Sequence, residues 1–220
     1  MGLLNRLAPR RPDAEMGVAA SPLATADPVF ATKALRKFLT SLTSRESPVL
    51  LDLGPVVGSN VNFFGEQLGC KIFVEDIFAD LDRHARDGKL EELPDFLKKR
   101  FPQADASFDG ILCWDICDYL DRASGQELAT QMMRLLRPDG ALLSFFATAS
   151  PREPRELRYT KYIIVDEVNL KHRPYPAARG RGNSLLNRDI IRMFSTLRVS
   201  DSFLLQNNLR EILFRKPAAS

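Results

Sequence analysis

The chain has little with which to build metal or disulfide chemistry. Its 220 residues include only two histidines, His84 and His172, and three cysteines, Cys70, Cys113 and Cys117. An odd number of cysteines set in or beside apolar runs argues for reduced, buried thiols and a cytoplasmic setting, and against a disulfide framework. The C-x3-C spacing of Cys113 and Cys117 has no second pair, so no metal site is expected. No apolar run approaches the roughly 18 residues of a membrane span. Charge of one sign is also scarce. The 31 basic and 28 acidic side chains leave a net charge of +3, too small by itself to argue for nucleic acid, and the basic stretches at 6–11 and 179–182 read as tail and loop. The N-terminus lacks the apolar centre of a signal peptide, being broken by Pro9, Pro12 and Pro22 and carrying Asp13 and Glu15. Residues 1–28 are expected to form a disordered leader, and residues 29–217 a single soluble domain.

What is present is a globular composition, 45% hydrophobic and 27% charged, long enough to bury a core without staples. Apolar residues at 30, 31, 34, 35, 38, 39 and 42 have helical spacing. Residues 48–53 read as a buried strand with Asp52 near its end. Gly54 and Gly58 then bracket a turn, Ser59 and Asn60 can cap the next helix, and Gly69 stops it. Residues 71–76 form a second strand ending in Glu75 and Asp76, so β-α-β is complete within about 30 residues, the compass of a parallel unit. Between them and Phe108 the pattern is helical, split by Gly88 and Pro94, with no clear strand.

Residues 108–114 and 141–147 read as further strands, separated by a helix over 123–137. Beyond them come a strand-rich core at 159–165, a polar loop from 169 to 183, a helix over 185–196, and two strands joined by Asn207 and Asn208, a hairpin signal. His84, in a charged helix, and His172, in a basic loop, are expected at the surface. The alternation gives an α/β class with an antiparallel hairpin on a parallel sheet.

With the elements in this order, residues 31–216 resemble the class I S-adenosylmethionine-dependent methyltransferase family. Asp52-Leu-Gly-Pro-Val-Val-Gly58 is similar to its glycine-rich first motif, Phe108-Asp-Gly-Ile-Leu-Cys-Trp-Asp115 to its fourth-strand motif, and Leu135-Leu-Arg-Pro-Asp-Gly-Ala-Leu-Leu143 to the helix-turn-strand signature that follows. The resemblance implies a Rossmann-like, mostly parallel seven-stranded sheet with helices on both faces and S-adenosyl-L-methionine as cofactor. It places Asp52, Gly54 and Gly58 at the methionine part, Asp76 or its neighbour Glu75 at the ribose, and Asp95 with Phe96 near the adenine. Asp95 also reads as an ordinary helix-surface carboxylate. Trp114, Asp115 and Tyr119 fall where methyl acceptors sit: Asp115 and Tyr119 as the candidate catalytic pair, Trp114 as a cofactor contact or plain core. An insert at 151–183, rich in arginine and tyrosine, follows the fifth strand and is placed to cover an unidentified acceptor, whether small molecule, protein or RNA.

Val56 stands where the family has its middle glycine, adding a β-branched side chain, and Pro55 removes an N–H donor from the loop. The alternative function is a non-catalytic binding or assembly scaffold on the same fold. A nicotinamide-binding G-x-G-x-x-G would need glycines where Val56 and Ser59 stand.

Overall fold

A computed structural model describes residues 27–148, 157–182 and 184–218. Most of the expected leader, part of the expected insert, and Asn183 lie outside the described residues. Nine strands are found among the described residues: β1 (Val29–Ala31), β2 (Val49–Asp52), β3 (Lys71–Val74), β4 (Phe108–Trp114), β5 (Leu136–Ala147), β6 (Arg158–Asp166), β7 (Asn169–Pro176), β8 (Arg198–Leu204) and β9 (Leu209–Arg215). The α-helices are α1 (Leu35–Thr43), α2 (Gly58–Asn62), α3 (Ile77–Arg86), α4 (Leu93–Arg100), α5 (Arg122–Leu135) and α6 (Asn187–Met193).

The main sheet is α/β, with strand order β3-β2-β4-β5-β9-β8. β3, β2, β4 and β5 run parallel, and β9 and β8 add antiparallel at one edge. The sheet therefore has six strands, not the seven expected. Between β3 and β4 the chain instead forms α3 and α4. Residues 93–100 place Leu93 and Leu97 one turn apart with Pro94 at the helix start and no β-branched residue, a helical pattern that supplies no strand.

Each face of the sheet has its own core. On one, α1 lies across β4 and β5; Phe38 and Leu42 pack so closely over Gly110 that a Cβ there would stand 2.6 Å from Leu42 Cδ2. On the other, α3, α4, α5 and α6 bury Leu81, Leu97, Met132 and Phe194. Two of the sequence motifs are joined here. Asp109, 4% exposed, accepts from the Val49 amide at 2.9 Å and from Arg137 Nη1 at 2.8 Å, tying the starts of β2, β4 and β5.

Five further expectations are corrected. The segment read as the start of the first helix contains β1, and the loop expected from 169 begins with β7. These two strands and β6 form a separate three-stranded antiparallel sheet, order β1-β7-β6. The last helix is shorter than 185–196. His84 is 8% exposed, its Nδ1 2.7 Å from the Asp80 carbonyl and its ring against Phe96; tertiary packing overrides its charged local sequence. His172 is half-buried between Phe30 and Tyr162, and burial lowers its pKa to about 4. The three cysteines are free and buried.

Candidate functional site

The carboxyl ends of β2, β3 and β4 lie side by side, with Asp52 paired to Val74 on one side and to Leu112 on the other. In a parallel sheet this edge is where ligands bind, because the βα turns open there. Asp52 is 3% exposed, and its Oδ1 accepts from the Gly54 amide at 2.9 Å and from the Trp114 indole N–H at 2.6 Å. Burial dominates these bonds and raises its pKa from the ordinary 3.8 to about 6. α2 begins at Gly58 with Val57 as N-cap and no side-chain cap; a Cβ on Gly58 would meet nothing within 4 Å. Val56 is 65% exposed and points to solvent.

Trp114 ends β4 at a register shift with φ of 47°, a left-handed backbone that is strained for a bulky residue. That bend carries the indole onto the turn: a Cβ on Gly54 would stand 2.8 Å from Trp114 Cδ1 and Nε1. Trp114 is 3% exposed, and Tyr162 from β6 stacks on it at 5.1 Å with 3° between the planes. Asn60, 2% exposed in α2, clamps that strand: its Nδ2 donates to the Tyr162 carbonyl and its Oδ1 accepts from the Ile164 amide, both at 2.8 Å. Asn60 was expected as a cap residue and is used as a long-range clamp.

Beyond Trp114 the chain enters a short helical turn carrying Asp115, Asp118 and Tyr119. Asp115 is fully buried; its Oδ2 meets Arg181 Nη2 at 2.5 Å, and the Tyr162 hydroxyl lies close enough to interact with the same carboxylate. Asp118 Oδ2 accepts from the Ala147 amide at 2.7 Å and lies 3.5 Å from Arg181 Nε. Burial first, then the Asp115 charge, pushes the Asp118 pKa to about 7, against the pull of Arg181. The Tyr119 hydroxyl donates to the Arg158 carbonyl at 3.2 Å and is 3.5 Å from Arg181 Nη2. Desolvation raises its pKa, so it is a neutral phenol. Arg181 thus gathers Asp115, Asp118 and Tyr119; Asp118 was missed in the sequence reading, though its position one turn after Asp115 was the available signal.

The other candidates diverge. Asp76 reaches the edge, where its Oδ1 caps α3 through the Ala79 amide at 3.0 Å, and burial raises its pKa. Lys161 of β6 and Tyr175 of β7 lie close enough to couple to it electrostatically. Glu75 is turned to Arg100 Nη1 at 2.6 Å, and the same guanidinium holds Asp80 at 2.8 Å. Asp95 is exposed on α4, and Phe96 packs against His84 and Arg83 beside α3. Asp95 and Phe96 are therefore not brought to the turn, because helix stands where a strand would have carried them in. No cluster fit to hold a metal is found among the described residues, nor any helix long and apolar enough to cross a membrane.

The edge can be tested against the cofactor that the sequence resemblance implies. The carboxylates Asp52 and Asp76 suit an amino group and ribose hydroxyls. The space at Gly54 does not fit: Trp114 lies on Gly54 and its indole N–H takes the Asp52 Oδ1 acceptor. As arranged, the edge does not admit the methionine half of S-adenosylmethionine.

No family model and no curated protein matches the chain. Solved structures do. The [4+2]-cyclase SpnF is 11% identical with a TM-score of 0.52, the alignment covering 90% of each chain. The 1,6-didemethyltoxoflavin-N1-methyltransferase of Burkholderia thailandensis, with bound S-adenosylhomocysteine, is 15% identical over 84% of this chain and 78% of that one, TM-score 0.48. A SAM-dependent methyltransferase from Aquifex aeolicus is 13% identical over 82% and 88%, TM-score 0.47. At such identities a likeness shows the fold alone. Strand order and the likeness to the cyclase give this chain an α/β fold with a mostly parallel central sheet, here of six strands.

Proposed function

We propose that this chain retains a cleft for S-adenosylmethionine at the carboxyl edge of β2, β3 and β4, shut from within in this conformation, and that the open cleft serves methyl transfer to an acceptor. The observation that carries the reading is the convergence of Asp52, Gly54, Asp76 and Asp115 on one edge of a sheet with the methyltransferase strand order. S-adenosylmethionine, when bound, supplies a methyl group already activated on a sulfonium, so the protein's own task is to position and to exclude water. Asp76 is the carboxylate suited to ribose hydroxyls. Asp115 and Tyr119 are the candidate acceptor-side groups, held by Arg181. Arginines and tyrosines of β6, β7 and the segment after them suit an anionic or aromatic acceptor, or RNA.

A second reading, a non-catalytic binding or assembly scaffold, is favoured by one specific observation: helix replaces the strand that would wall the adenine side. Calorimetric titration with S-adenosylhomocysteine to millimolar concentration separates the two. The cofactor reading expects binding by the chain once its cleft is opened by Tyr162→Ala, weakened at least tenfold by adding Asp76→Ala. The scaffold reading expects no heat from any of these proteins.

A further inference from the structure

We propose that the β6–β7 hairpin is an intramolecular plug: Tyr162 presses Trp114 into the place of an amino-acid-bearing nucleoside ligand, and the hairpin must withdraw before such a ligand enters. The inference rests on the cofactor reading above and adds to it a mechanism of closure. Four observations converge. Trp114 keeps a strained left-handed backbone with its indole buried against Gly54, and a residue holds such a conformation only where its surroundings impose it. The indole N–H occupies Oδ1 of Asp52, an acceptor an incoming ammonium would otherwise find. The near-parallel Tyr162 ring covers the outer face of the indole, with Phe145 and His172 on the flanks of Tyr162.

Last, the hairpin is held from two sides. Asn60 fixes β6 to α2 from within the fold. β1 fixes β7 from outside, pairing Ala31 with Asn169 and Val29 with Lys171, with the His172 amide donating to the Pro28 carbonyl at 3.0 Å. Because β1 belongs to the chain entering the domain, a pull on that entry would loosen β7 and with it the plug. Lys161 and Tyr175 of the same hairpin lie within electrostatic reach of Asp76, so the hairpin that stacks on Trp114 also faces the ribose position. The plug thus spans both the methionine and ribose positions.

Trp114 is the only tryptophan of the chain, so its emission reports the plug directly. Calorimetry with S-adenosylhomocysteine should find affinity at least tenfold tighter in Tyr162→Ala and in Asn60→Ala than in the wild type. In the wild type, any binding that occurs should shift Trp114 emission to the red as the indole leaves its site. Wild-type binding with unchanged emission, and no gain in either variant, would overturn the plug while leaving the cofactor reading intact. Absence of binding in the wild type and in both variants, each folded by circular dichroism, would overturn both. Should Tyr162→Ala fail to fold, Asn60→Ala, which removes only the clamp, decides the matter together with the wild-type emission.

Discussion

The chain closes with one antiparallel hairpin, β8–β9, and inserts another, β6–β7, and the two meet opposite fates. In β9, residues 211–214 are all buried, Ile212 and Phe214 in one core and Leu213 in the other, with the Glu211 carboxylate taken by the Lys33 and Ala34 amides, so the strand belongs inside a sheet. It pairs with β5 over seven residues and extends the main sheet. β6 buries Tyr162 and Ile164 in one core and Tyr159 in the other, leaves Val165 and Asp166 exposed, and lies over the sheet's carboxyl edge through its stack on Trp114. A strand buried along its run belongs inside a sheet, whereas β6, with only alternate stretches buried, stays outside the main sheet and covers what lies beneath it. Here that is Trp114 and the turn after β2.

The contrast can be broken at its strongest point. Phe214→Ala, in β9, should lower the free energy of unfolding by about 3–5 kcal/mol and loosen the whole domain, measured by denaturant titration. Tyr162→Ala should instead speed amide exchange over 158–176 while β4 and β5 stay protected; equal loss of protection in both hairpins would end the distinction. Arg181→Ala leaves two buried carboxylates without their cation. Removing one partner of a buried pair costs about 3–5 kcal/mol, and the partial exposure of Arg181 puts this case at the lower end.

A pH series sharpens the account of the edge. Asp52 titrates near 6 in the folded chain and at its ordinary 3.8 when unfolded, so the folded state binds the extra proton between those values. The wild type therefore loses this contribution as pH rises from about 4 to about 6, at most about 3 kcal/mol. Asp52→Asn keeps the acceptor and removes the titration. Its stability relative to wild type should improve across that window and stay flat above it. Asn60→Ala, losing two buried hydrogen bonds, should cost about 1–3 kcal/mol. The smallest effect is expected at Val56→Gly: the side chain faces solvent, so stability should change by about 0.5 kcal/mol or less and ligand affinity not at all.

Much of this fold was legible because its signals are local. Buried runs gave β2, β4 and β5, and the motif residues Asp109 and Arg137 proved to be partners across those strands. The acids at the ends of β2 and β3 could be named for the same reason. What could not be read depends on partners far along the chain. The alternation in β6 says strand, but only its meeting with Asn60, about a hundred residues earlier, decides that it folds over the edge. Trp114 as site or core could not be settled from spacing, since the answer lies in its meeting with Asp52 and Tyr162, distant in the chain. His172 looked like loop because its aromatic neighbours, Phe30 and Tyr162, come from other strands.

The central claim is that Trp114 lies sealed beneath Tyr162 in the free chain. Acrylamide quenching of the single tryptophan tests it most directly. The account predicts strong protection in the wild type, lost in Tyr162→Ala. A wild-type tryptophan quenched as readily as free indole would contradict it.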